Sequence, residues 1–242
     1  FLLVYSKLAW RLNFNESLSS RKELVFLLIT AMLITINWGG YILAVNLGRV
    51  VEASMGYFLS PVINMIGGYV FFQERISKLK QLAVLFATVG ALYYVFSGDT
   101  FPWLGFLVGF TFSAYGIARK AMSSSAVPGL YIETLILLPF FLVFSIWFYA
   151  NFDIAFFNVD IPTDILLFLA GAVTVVPLAL FNAGAKLLPM TTVGILFLIT
   201  PTLQFLVGYY LQNEAVNTNQ LLGFIGVWTG LIMYSYGLIK EK

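Results

Sequence analysis

The sequence predicts an all-α polytopic membrane protein built as two five-helix repeats of opposite topology. Three observations carry this. Of 242 residues, 60% are hydrophobic and only 10% charged, with a mean hydropathy of +0.92, whereas a soluble domain has about 25% charged residues. Eight stretches are apolar over a length that crosses a bilayer. The chain also matches itself at a fixed offset of 140 residues. A chain this small cannot hide so much apolar surface from water, so its solvent is lipid.

The eight stretches are residues 23–46, 50–72, 79–97, 102–119, 128–149, 163–185, 190–211 and 220–238. Each is close to the ~20 residues that a 30 Å hydrocarbon core requires. None alternates apolar and polar residues as a barrel strand does, so all are helices. Residues 1–10, FLLVYSKLAW, resemble the last turns of a further span. The chain opens on Phe1, shows no cleavable signal pattern, and reads as a fragment or a processed chain. A ten-helix parent is expected, with about 40–50 residues before Phe1 at ~20 residues per span.

Basic residues set the orientation. Lys7, Arg11, Arg21, Lys22, Arg75, Lys78, Lys80, Arg119, Lys120, Lys186, Lys240 and Lys242 fall in one alternate set of connections. Of the 13 basic residues only Arg49 falls in the other set, together with Asp99, Asp153, Asp160, Asp164 and Glu214. The positive-inside rule then places the basic face and the C-terminus in the cytoplasm.

At the 140-residue offset Ser60 meets Thr200, Pro61 meets Pro201 and Asn64 meets Gln204. Gly68, Tyr69, Gln73, Glu74 and Gly90 meet Gly208, Tyr209, Asn213, Glu214 and Gly230. The matched spans lie an odd number of crossings apart, so the copies face opposite ways, as in secondary transporters that alternate access about a midplane site. The expected boundary separates residues 1–100, helices 2–5 of the parent, from 101–242, helices 6–10.

Several residues stand out against this background. Pro61 and Pro201 near mid-span interrupt helical hydrogen bonding and partly free the carbonyls of Tyr57 and Phe197. Such kinks face protein or a water-filled cavity; the plainer alternative is a structural bend. Asn64 and Gln204 follow one turn later on the same face. They either line a substrate path or tie helices together. Asn37, Trp38 and Thr174 fall at similar depth, and Trp38 could stack on a flat substrate or simply pack. Glu133 enters the bilayer by about 7–8 Å at 1.5 Å per residue, and intramembrane carboxylates mark ion or proton pathways. Asn182 and Lys186 reach the same level, which leaves an interfacial ion pair of Glu133 with Lys186, Arg119 or Lys120 as the alternative. Glu74 and Glu214 read as helix-end features, and Arg49 with Glu52 as a surface or gate-side pair. Gly105-x₃-Gly109, Gly226-x₃-Gly230 and Gly40-x₃-Ala44 permit close helix contact, and with it a homodimer.

The stretches NWGGYILAVN, EASMGYFLSPVIN, FQER, SAYGIARK, IETLILLP, VPLALF and TPTLQFL resemble EamA-type permeases of the drug/metabolite transporter superfamily. The resemblance is closest to the RarD, or chloramphenicol-sensitive, subfamily and runs in order along nearly the whole chain. It implies ten helices in two inverted repeats about a central cavity, and movement of small metabolites or drugs across a bacterial inner membrane. It also covers Tyr115, which joins the substrate-binding candidates, and Pro177, which joins the kinks. Relatives often carry Gln-Tyr where this chain has Phe197-Leu198, which implies a more apolar cavity here.

Composition excludes other classes. With no Cys and no His, thiol, His-base and His-metal chemistry are unavailable, so no metal, no cofactor and no enzyme activity are expected. No G-x₄-GK[ST] loop is present, so any pumping draws on a gradient or on an external partner, with Glu133 the candidate group for coupling to protons. The expected partners are a small-molecule substrate and the bilayer, with no nucleic acid. The competing class is a non-transporting membrane assembly or sensor component.

Overall fold

The computed structural model describes residues 20–97, 101–152, 156–211, 213 and 218–240. Its elements are all helical. They are α1 (Arg21–Asn46), α2 (Val50–Gly56), a 3₁₀ turn (Tyr57–Leu59), α3 (Ser60–Phe72), α4 (Lys78–Phe96) and α5 (Trp103–Ala121). There follow α6 (Ala126–Asn151), α7 (Ile161–Leu187), α8 (Met190–Phe197), α9 (Ile199–Leu211) and α10 (Thr218–Lys240). Residues 1–10, Asp99, Asp153, Glu214 and Lys242 lie outside the described residues.

All eight expected spans are helical, and six helices among the described residues are long and apolar enough to cross a membrane. These are α1, α2 with α3, α6, α7, α8 with α9, and α10. Helices α4 and α5 have 19 residues each; Lys78 and Lys80 open α4, and Arg119 and Lys120 close α5.

Two of the spans are broken rather than bent. Pro61 sits in the first turn of α3, where its missing N–H is harmless. The 3₁₀ turn before it brings the Ser60 N–H onto the Tyr57 carbonyl, so that carbonyl is satisfied, contrary to expectation. Pro201 likewise stands in the first turn of α9, after a break at Leu198. By contrast α6 and α7 continue through Pro139 and Pro177. Gln73 caps α3 in the left-handed region at φ 54°, and Asn213 just beyond α9 has φ 53°. Asp160 precedes α7 and accepts the Thr163 N–H at 2.8 Å. Bonding from Thr163 holds its carboxyl below the ordinary carboxylate range, as suits an N-cap.

The chain divides into two compact units. One runs to Ala31 and resumes from Met122 to Lys186. Here Leu27, Met122 and Ile132 form a small core with Phe26 and Ile136 against it. Glu23 accepts the Ser123 N–H at 2.8 Å and the Ser124 N–H at 3.4 Å. The Lys186 ammonium donates to the carbonyls of Met122 and Ser124. Both charges therefore serve the loop between α5 and α6.

The other unit comprises Met32–Ala121 and Leu187–Lys242. Its core gathers Phe58, Ala83, Val84, Ala87, Phe205, Phe224, Val227 and Tyr234. Helix α4 packs along α10, α3 against α8, and α2 against α9. Close approach depends on small residues. A Cβ on Gly90 would meet the backbone of Gly223 and Val227, and one on Gly230 the backbone of Ala83 and Ala87. Residues 83, 87 and 90 stand 140 positions before 223, 227 and 230. The α4–α10 crossing therefore maps onto itself when the helices are exchanged, and they run antiparallel. Gly56 of α2 lies directly on Gly105 and Gly109 of α5, backbone to backbone.

Candidate functional site

The helix breaks place aromatic rings where the two discontinuous spans of the larger unit meet. Tyr57, at the first break, lies edge-on to Phe197, at the second, with ring centroids 5.1 Å apart and planes at 69°. Phe112 of α5 stacks on Phe197 at 4.4 Å and meets Tyr57 edge-on at 5.9 Å. Tyr115, fully buried one turn on, is 6.2 Å from Phe112. Tyr57 and Phe197 are separated by 140 residues, so each is the other's equivalent across the offset.

Polar groups border this cluster. Asn37 is buried on α1 and donates its Nδ2 to the Val108 carbonyl at 2.7 Å and to Thr111 Oγ1 at 3.2 Å. Near the two prolines, Ser60 and Asn64 are buried and Gln204 is half-buried. Among the described residues, Ser60 Oγ, Asn64 Oδ1 and Gln204 Oε1 meet no hydrogen-bond partner. Buried acceptors without partners cost free energy unless water or a ligand serves them. Gly194 makes room here, since a Cβ on it would press on Pro61 and Asn64.

The remaining candidates are placed differently. Trp38 is half-buried beside Asn37 and makes none of the ring contacts above. Thr174 is exposed on α7 and returns its hydroxyl to the Ala170 carbonyl at 2.7 Å. Asn182 and Glu133 are buried in the smaller unit. Glu133 lies 2.5 Å from Thr30 Oγ1, which also approaches the Phe26 and Leu27 carbonyls at 3.0 and 3.1 Å. Arg49 pairs with Glu52 as expected, and Glu52 also accepts the Leu104 N–H at 3.3 Å, capping α5.

Glu74 does more than end its own helix. Its carboxylate accepts from Lys120 Nζ at 2.9 Å and from the Met190 N–H at 2.8 Å, so it caps α8 and ties it to α5. Lys120 in turn reaches the Leu188 carbonyl at 2.5 Å and lies over the Phe72 ring. Sequence reasoning missed Phe112, Ser60 and Thr30. Of these only Ser60 carried a signal, as the neighbour of Pro61 matched to Thr200.

No protein-family model matches the chain. Curated relatives do. YojE of Bacillus subtilis, named an uncharacterized transporter, is 34% identical over 96% of this chain and 78% of its own. An uncharacterized transporter of Pseudomonas aeruginosa is 35% identical over 97% and 78%. Protein RarD of Escherichia coli is 32% identical over 97% and 79%. With identity at this level sustained along nearly the whole sequence, the chain belongs to the RarD family of EamA-type, multi-pass membrane proteins.

Proposed function

We propose that the chain is a secondary transporter of small metabolites or drugs, working by alternating access between two inverted repeats, residues 1–100 and 101–242. The observation that carries this reading is the antiparallel, self-matching contact of the discontinuous spans, with Tyr57 against Phe197 at its centre. Discontinuous helices meeting at a repeat interface are how secondary transporters build a midplane binding site. The bare oxygens of Asn64 and Gln204 offer acceptors to a substrate there, beside Asn37, Tyr57 and Tyr115. Trp38 is assigned to the same path; Thr174 and Asn182, on α7 of the smaller unit, are substrate-binding candidates from their depth along that helix, and Pro61, Pro177 and Pro201 are assigned to the helices that move.

Coupling to protons is assigned to Glu133, buried and within hydrogen-bond distance of Thr30. The basic residues at alternate helix ends support a cytoplasmic C-terminus in a bacterial inner membrane. A thermal-shift screen of metabolites and drugs on the full-length protein tests the site. Ligands that stabilise the parent are expected to lose their effect in Asn64→Ala and Gln204→Ala. Equal stabilisation of parent and variants would remove these amides from the site.

A further inference from the structure

A separate cavity of about 610 Å³ opens at the basic end of the larger unit. That volume is within the roughly 300–1,000 Å³ of small-molecule sites. It is lined by Met65, Ile66 and Tyr69 of α3, by Glu74 and Arg75 just beyond that helix, and by Thr191 of α8. Two features distinguish it from the aromatic cluster. Its charges are unbalanced, because Glu74 is already neutralised by Lys120 and by the N-terminus of α8. Arg75 is exposed and meets no partner among the described residues, so the lining keeps one net positive charge. Its wall is also continuous with the outer surface: Ile66 and Tyr69 are 54% and 70% exposed, and in a membrane protein that exposure is to lipid. Tyr69 stands one turn inside the helix end, the level of the interfacial aromatic belt.

We propose that this cavity binds an anionic phospholipid from the leaflet that meets the basic face. Its phosphate lies against the Arg75 guanidinium, and an acyl chain runs along Met65, Ile66 and Tyr69. A guanidinium matches a phosphate with two parallel N–H bonds, and basic pockets at helix ends are where membrane proteins hold acidic headgroups. A soluble anion would be served by Arg75 but would have no use for the apolar wall. The site does not depend on transport, and its failure would leave the transport reading intact.

The test uses delipidated full-length protein, titrated separately with phosphatidylglycerol, phosphatidylcholine and inorganic phosphate while the thermal midpoint is followed. Phosphatidylglycerol is expected to raise the midpoint, phosphatidylcholine and inorganic phosphate are not, and Arg75→Gln is expected to weaken the phosphatidylglycerol response about fivefold, the factor set by one cation at a membrane surface. Lys240→Gln, at a basic helix end outside the cavity, is expected to keep it. An unchanged response in Arg75→Gln overturns the proposal, as does equal stabilisation by phosphatidylcholine. An equal response to inorganic phosphate also overturns it, in favour of a soluble anion. A photoactivatable phosphatidylglycerol on the unmodified protein gives a readout independent of any variant's folding. Labelling within residues 65–81 is expected; labelling confined elsewhere contradicts the site.

Discussion

Glu74 is the residue whose removal can be costed most fully from the structure. Glu74→Ala deletes two interactions at once. The Met190 N–H loses its acceptor at 2.8 Å, and a lost helix cap costs about 1 kcal/mol. Lys120 loses a carboxylate at 2.9 Å where the two side chains are only 15% and 13% exposed. A hydrogen bond to a charged group contributes about 1.5–3 kcal/mol, and a pair this enclosed is screened little by solvent. The expected destabilisation is therefore roughly 2–4 kcal/mol. At roughly 2–4 °C per kcal/mol for a chain of this size, the thermal midpoint in detergent should fall by about 4–16 °C. Glu74→Gln keeps an oxygen for Met190 and should lose about half as much. Combining Glu74→Ala with Lys120→Met should cost less than the sum of the two single changes, because the pair is coupled. A folded Glu74→Ala protein with an unchanged midpoint, or strict additivity with Lys120→Met, would refute this account of how α8 is anchored.

Other outcomes follow from the same geometry. Gly56→Ala drives a Cβ into the Gly105 backbone and should destabilise by about 1–3 kcal/mol as overpacking. Gly184→Ala meets nothing within 4 Å on α7 and should stabilise by up to ~1 kcal/mol through helix propensity. Thermal unfolding of both proteins checks the contrast, and a neutral Gly56→Ala would deny the close crossing. Glu133→Gln should flatten the pH dependence of flux in proteoliposomes; a pH profile identical to the parent's would rule out Glu133 as the coupling group.

The spans were legible in the sequence because hydrophobicity and charge placement are one-dimensional signals. The prolines announced Pro61 and Pro201 as special, but not that the backbone tightens into a 3₁₀ turn before one and breaks at Leu198 before the other. That depends on which carbonyls can be re-satisfied locally. Glu74 was read as a helix-end group, yet the helix it caps begins 116 residues away, a pairing no local pattern encodes. The aromatic cluster is half legible in the sequence: Tyr57 stands among the candidates, while Phe197 stands out only where the chain departs from its relatives. Their separation by the repeat offset was the available clue that the two rings meet. Phe112 carried no such clue, since its position follows from the Gly56–Gly105–Gly109 crossing. Thr174 illustrates the limit of depth arguments, because its position along α7 did not reveal that its hydroxyl turns back onto its own helix.

The central claim is that substrate passes where the two discontinuous spans meet, and cysteine pairs suit its test because residues 1–242 contain no cysteine; any cysteine elsewhere in the full-length protein is first replaced by serine. Tyr57→Cys and Phe197→Cys, introduced together in the full-length protein, replace rings whose centroids are 5.1 Å apart. Flux of a ligand found in the thermal-shift screen is measured in proteoliposomes before bridging with a short cleavable thiol cross-linker, after bridging, and after reduction. The account predicts that flux stops when the two spans are tied and returns when the bridge is cleaved. Undiminished flux through fully bridged protein would contradict it.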